Sequence, residues 1–231
     1  MNVQKYDASK FRKIIETTIS NYANMVKRLE RKKSVSEFVL TYYSVFLIIT
    51  TLTGKYFSNY YNAAVSDYFN IILSVVVLIY SLIIKNANYS TRITNVLNSL
   101  NQLKSIKREV DDETIDQCHQ KYNEVVDKTE QRNDVDFFIT VKNLCKSFDI
   151  NWFTKKHKRS ATKKISTADQ DELEEYERQE KIVKGYISEI NVVVEQGKIV
   201  FEFIWYIFLF IIPIILFLLC ILAKIYGINV A

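Results

Sequence analysis

Two apolar runs separated by a short polar connection limit what this chain can fold into. The first, FVLTYYSVFLIITTLTG at 38–54, holds 17 residues, and the second, AAVSDYFNIILSVVVLIYSLII at 63–84, holds 22. Each is nearly free of charge and long enough to cross a hydrocarbon core as a helix. The connection between them carries a single lysine, Lys55. A link this short predicts a tight helical hairpin. A third run, 201–225, is apolar all round, interrupted by Pro213 and Cys220. Such a helix suits a lipid-facing anchor, because a pore wall needs a polar side, and proline is tolerated in a membrane helix with a kink. The expected fold is an all-α membrane protein: a two-span helical hairpin, a cytosolic helical bundle and a C-terminal third transmembrane helix.

Charge divides the chain into four segments: a basic amphipathic helix at 1–37, the hairpin at 38–84, a cytosolic helical region at 85–198, and the third span with a short tail at 199–231. Residues 1–37 hold nine Lys/Arg against four acids, while 85–198 hold twenty of each sign. The net charge of +5 therefore sits in the lead-in. The cluster KRLERKK lies just before the first span, the hairpin connection has only Lys55, and Lys85, Arg92 and Lys104 follow the second span. Positive charge stays on the cytoplasmic side. The expected topology is a multi-pass protein of the bacterial inner membrane, with N-terminus cytoplasmic and C-terminus outside. The lead-in lacks the short apolar core of a signal peptide. A basic cluster can also contact nucleic acid, but its place beside a span already accounts for it, so direct nucleic-acid binding is not expected.

Apolar periodicity orders the rest. Phe11, Ile14, Ile15, Ile19, Tyr22, Met25, Val26 and Leu29 recur at three- and four-residue steps, one face of a helix over 8–33. Continuing from the second span, Ile93, Val96, Leu97, Leu100, Leu103, Ile106 and Val110 form the seam of a helix over 89–110, a coiled-coil-like packing pattern. DDET at 111–114 breaks and restarts the chain, with further helices over about 114–131 and 134–148. After them NWFTKKHKRSATKKIST loses periodicity and reads as an exposed loop. Its Lys155, Lys156, Lys158, Arg159, Lys163 and Lys164 are candidates for contact with anionic lipid or a partner. An acidic helix from about 169, capped by Ser166, Thr167 or Asp169, can run on into the third span.

The candidate functional residues lie in the hairpin. Asp67, Asn70, Ser74 and Ser81 are spaced by 3, 4 and 7, a single polar stripe on an otherwise apolar helix. A carboxylate in such a segment is costly unless it faces protein, water or the interface. The stripe is read either as a wet face lining a pore between several copies, or as a helix end at Asp67 with serines in packing contacts. Thr41, Ser44 and Thr51 form a second narrow arc on the first span. They either line the pore too or bond back to their own backbone. Chemistry is otherwise absent: four glycines make no phosphate loop, and no zinc spacing or nucleophile elbow occurs. The three cysteines, Cys118, Cys145 and Cys220, read as ordinary helix residues. Neither an enzyme nor a cofactor or metal site is expected.

A basic helix, a two-span hairpin, then a helix opening YSTRITNVLNSLNQL resembles the SLATT family, the two-transmembrane effector domains of bacterial conflict systems. The likeness rests on Arg28, Leu29 and Lys32, the stretch 44–54, and Tyr89, Ser90, Arg92, Leu97, Leu100 and Leu103. The extra C-terminal span resembles the fifth subfamily, encoded beside a reverse transcriptase. The resemblance implies a pore-forming or membrane-disrupting effector of anti-phage defence, working as a homo-oligomer that depolarises the membrane in abortive infection. Its trigger would reach the cytosolic helices through the partner enzyme or a nucleotide signal. The alternative from another class is a membrane-anchored adaptor that docks a cytosolic partner such as that reverse transcriptase.

Overall fold

The computed structural model describes residues 7–147 and 189–227. Every described element is a helix: α1 (Ala8–Tyr56), α2 (Ala63–Ala87), α3 (Tyr89–Glu109), α4 (Ile115–Lys128), α5 (Asp134–Ser147) and α6 (Glu189–Ile225). Among the described residues, three helical stretches are long and apolar enough to cross a membrane: Ala8–Tyr56, Ala63–Glu109 and Val193–Ile225. This is an all-α membrane protein. The cationic stretch 155–164 and the start of the acidic helix near 169 lie outside the described residues.

Two helix boundaries differ from the sequence reading. The lead-in helix and the first span are one helix of 49 residues. Residues 34–37, SVSE, contain neither glycine nor proline, so nothing there stops a helix already running. Conversely, α2 and α3 are separated by one residue. Asn88 adopts a left-handed conformation (φ 47°, ψ 40°), and its N–H bonds the Lys85 carbonyl. Asparagine tolerates that region better than most residues.

The chain forms two compact units. The first combines Met1–Arg28 with Thr94–Ile199. Its apolar core takes Phe11, Ile15, Tyr22 and Met25 from α1, and Val96, Leu100, Leu103 and Ile106 from α3. Cys118, Val125, Phe138 and Val141 come from α4 and α5. The predicted seams are these buried faces, although Ile14 and Leu97 at their edges are exposed. Arg12 bonds the Val110 carbonyl and Glu16 pairs with Lys107 at 3.3 Å, so α1 and α3 run antiparallel. Deep in this unit Arg28 grips Asp136 through two bonds of 2.8 Å, with Asp136 fully buried. Asn24 donates to Thr140 one turn away at 2.9 Å, and the Asn133 N–H donates to Asp136 at 3.0 Å. A buried carboxylate needs such saturation, because desolvation otherwise outweighs attraction.

The second unit combines Leu29–Ile93 with Val200–Ala231. Its helices are tied by side chains that bond backbone. Tyr43 Oη donates to the Leu209 carbonyl at 2.8 Å, and Tyr42 Oη to that of Phe210 at 3.2 Å. Pro213 has no N–H, so Leu209 is the carbonyl its ring leaves without an intrahelical donor. Tyr43 supplies the missing bond, which is how an apolar helix keeps a buried proline. At one end Arg31 pairs with Glu202 at 3.2 Å; beyond the other end of α1 the Asn62 N–H donates to Cys220 at 3.3 Å. Residue numbers rise together along both partners, so α6 runs parallel to α1. α2 runs antiparallel to α1, joining Thr50 to Asn70 at 2.6 Å at one end and Ser36 to Tyr80 at 3.5 Å at the other. A cluster of Val39, Tyr43 and Leu73 fills the space between, with Phe46, Val77 and Leu216 packed against it.

Candidate functional site on the hairpin

The polar residues of the hairpin converge on one open groove. Thr51 from α1 and Asp67, Asn70 and Ser74 from α2 line it, flanked by Ile71 and Val75. The spacing explains the convergence: residues three and four apart on α2 share a face, and that face meets the last turns of α1. Four of the seven hairpin candidates are thus brought together, while Thr41, Ser44 and Ser81 do not line the groove.

Hydrogen bonding separates the four. Asn70 faces inward: its oxygen accepts from Thr50, and its amide donates to Thr51 at 3.3 Å and Ser66 at 3.4 Å. An amide placed among apolar side chains without these partners would cost several kcal/mol. Asn70 therefore clasps the two helices. Ser74 bonds its own helix at the Asn70 carbonyl, 2.7 Å, and Thr51 does the same at Leu47, 2.8 Å. Thr41 and Ser44 likewise return to Glu37 and Leu40, both at 2.9 Å. Back-bonding is the ordinary state of short hydroxyls in membrane helices. Asp67 differs: it is exposed and forms no hydrogen bond or ion pair among the described residues.

Asp67 lies in the second turn of α2. Asn62 caps that helix, its side chain accepting from the Val65 N–H at 3.2 Å. The positive end of the helix dipole favours a carboxylate there. The groove thus offers one anionic group at its mouth and hydroxyl and amide oxygens along it. That set suits water or a hydrated cation more than an anion.

Thr50 and Ser66 belong to this network, and neither is among the candidates read from the sequence. The signal was the doublet Thr50–Thr51, both of whose hydroxyls meet the Asn70 side chain, and the four-residue step from Ser66 to Asn70. A second omission is Glu202, within the third apolar run. It accepts from Arg31 and from Tyr206 at 2.9 Å, with Lys32 at 3.8 Å. A lone acid at the start of one span and a basic cluster at the start of another is the signal for that contact. Among the described residues no group of three or more His, Cys, Asp or Glu could hold a metal ion.

Comparison with known proteins gives a family match. Residues 4–223 fit the family model described as SMODS and SLOG-associating 2TM effector domain family 5. No curated protein and no solved structure matches the chain.

Proposed function

Since the chain belongs to SLATT family 5, a family of two-transmembrane effector domains, we propose that it is a defence effector that permeabilises the bacterial inner membrane as a homo-oligomer. Three helices enclose no aqueous path by themselves, so several copies must contribute. In this reading each copy turns its hairpin groove toward a shared axis, with Asp67 forming a ring of carboxylates at the outer mouth. Such rings favour cations, and dissipating the potential stops or kills the cell. The carrying observation is the groove: a polar strip with an unpaired carboxylate on a helix that also exposes the apolar Ile72, Val76, Leu78 and Ile79.

The orientation follows from the basic lead-in and the parallel course of α1 and α6, which carries both from the cytoplasm outward. The trigger would reach the protein through residues 85–198, where a neighbouring reverse transcriptase is a suitable partner.

A second reading has support of its own. Asn70 and Ser74 are bonded within the hairpin, as expected if the stripe only holds an anchor together and the protein is an adaptor for a cytosolic enzyme. Membrane potential, followed with a voltage-sensitive dye in bacteria expressing the chain with its natural neighbouring genes, separates the two. The effector reading expects depolarisation by the wild type and its loss in Asp67→Ala at equal membrane level. Depolarisation that survives Asp67→Ala, or none when the defence is active, favours the adaptor.

A further inference from the structure

Charge in the first unit is uneven in a way the hairpin does not explain. Arg12, Glu16 and Ser20 on α1 face Lys104, Lys107 and Arg108 on α3 across one groove. The antiparallel register, set by Arg12 on Val110 and Glu16 on Lys107, aligns four-residue steps on both helices, so the side chains form two facing rows. Four are cationic and one is a carboxylate. Residues 85–198 are charge-balanced, so this excess is local.

The cations are not all consumed inside the fold. Lys107 takes up Glu16, and Arg12 is fixed by two bonds from its guanidinium to the Val110 carbonyl at the end of α3. Lys104 and Arg108 are exposed and pair with no carboxylate among the described residues. Cations one turn apart on a helix repel each other, and four in one groove raise its potential well above that of a mixed surface. An anion bearing several charges removes that repulsion and satisfies the donors together. Guanidinium and ammonium groups with a hydroxyl are the usual donors to phosphate oxygens.

We propose that this groove binds a multiply charged phosphate group. Its lining holds no aromatic ring and no side-chain amide, so it has no platform to stack a base and no pair of groups to read one. The site reads phosphate charge, which either a soluble polyphosphate or the head group of an anionic lipid carries. The proposal is independent of whether the hairpin conducts.

The test uses the full chain in nanodiscs of phosphatidylcholine, titrated with tripolyphosphate by calorimetry. Binding is expected, weakening as salt rises through the range where exposed charges are screened. Lys104→Gln/Arg108→Gln should weaken it about tenfold or more, as loss of two charge-assisted bonds implies. Both residues are exposed, so the variant should keep the melting temperature of the unliganded protein. Lys121→Gln, on α4, should bind like the wild type. Repeating the titration in phosphatidylglycerol nanodiscs identifies the source: competition marks the lipid head group, undiminished binding a soluble ligand. No binding in phosphatidylcholine, or equal binding by the double variant, overturns the proposal.

Discussion

The two units handle polar groups in opposite ways. In the first, polar side chains reach across helices to each other, and the Arg28–Asp136 pair is buried outright. In the second, many hydroxyls bond the backbone of their own or a neighbouring helix, and Arg31 and Lys32 pair with Glu202 across helices. The difference follows from what each fold must satisfy. A water-surrounded bundle can specify which helices pair by burying a matched charge. A lipid-surrounded one has no solvent to take up a stray carbonyl, so each backbone oxygen freed by a proline needs a donor. Asn70 with Thr50, and Ser36 with Tyr80, are side-chain clasps inside the apolar unit, and Asn70 sits beside the groove that holds the unpaired Asp67 carboxylate.

Breaking the buried pair tests the comparison hardest. Asp136→Ala strands a buried guanidinium and should cost about 3–5 kcal/mol, read as a lower denaturant midpoint in detergent. Arg28→Met/Asp136→Leu should recover most of that loss, since removing both charges also removes the desolvation. The backbone rule of the second unit is tested next. Tyr43→Phe should cost about 1–3 kcal/mol by leaving the Leu209 carbonyl unpaired, and Pro213→Ala should make the same change nearly neutral. A cycle with no coupling between positions 43 and 213 would break the account of the proline.

Smaller effects sharpen the contrast. Asn70→Leu should cost about 1 kcal/mol, as for other interhelical hydrogen bonds in membranes. The exposed pair of Lys121 and Glu109, 2.8 Å apart, supplies the baseline. Its hydrogen bond from Lys121 holds Glu109 below the usual carboxylate range. Any stability it contributes is therefore present above the ordinary carboxylate pKa and lost as pH falls through the depressed one. Lys121→Ala should leave the neutral-pH melting temperature unchanged, because solvent screens such pairs.

Much of this was legible in the sequence, and the gaps share a cause. The spans and core seams follow from periodicity, which reports what each residue does relative to its own helix. The stripe Asp67, Asn70, Ser74 was visible for the same reason. Periodicity is silent on pairings between helices far apart in the chain. Arg28 with Asp136, Tyr43 with Leu209, and the facing rows of α1 and α3 could not be read that way. It is equally silent on whether a polar residue on a shared face looks outward, like Asp67, or inward, like Asn70. The union of lead-in and first span was missed because a change of composition at 34–37 resembled a boundary, whereas only glycine, proline or a cap stops a helix.

The most direct test of the proposed function is electrical recording of the purified chain in a planar bilayer, beside Asp67→Asn and Asp67→Lys. The account predicts stepwise, cation-preferring conductance, with the preference reduced by Asn and reversed by Lys. A bilayer that stays sealed with the protein demonstrably inserted, or a conductance whose selectivity ignores position 67, would contradict it.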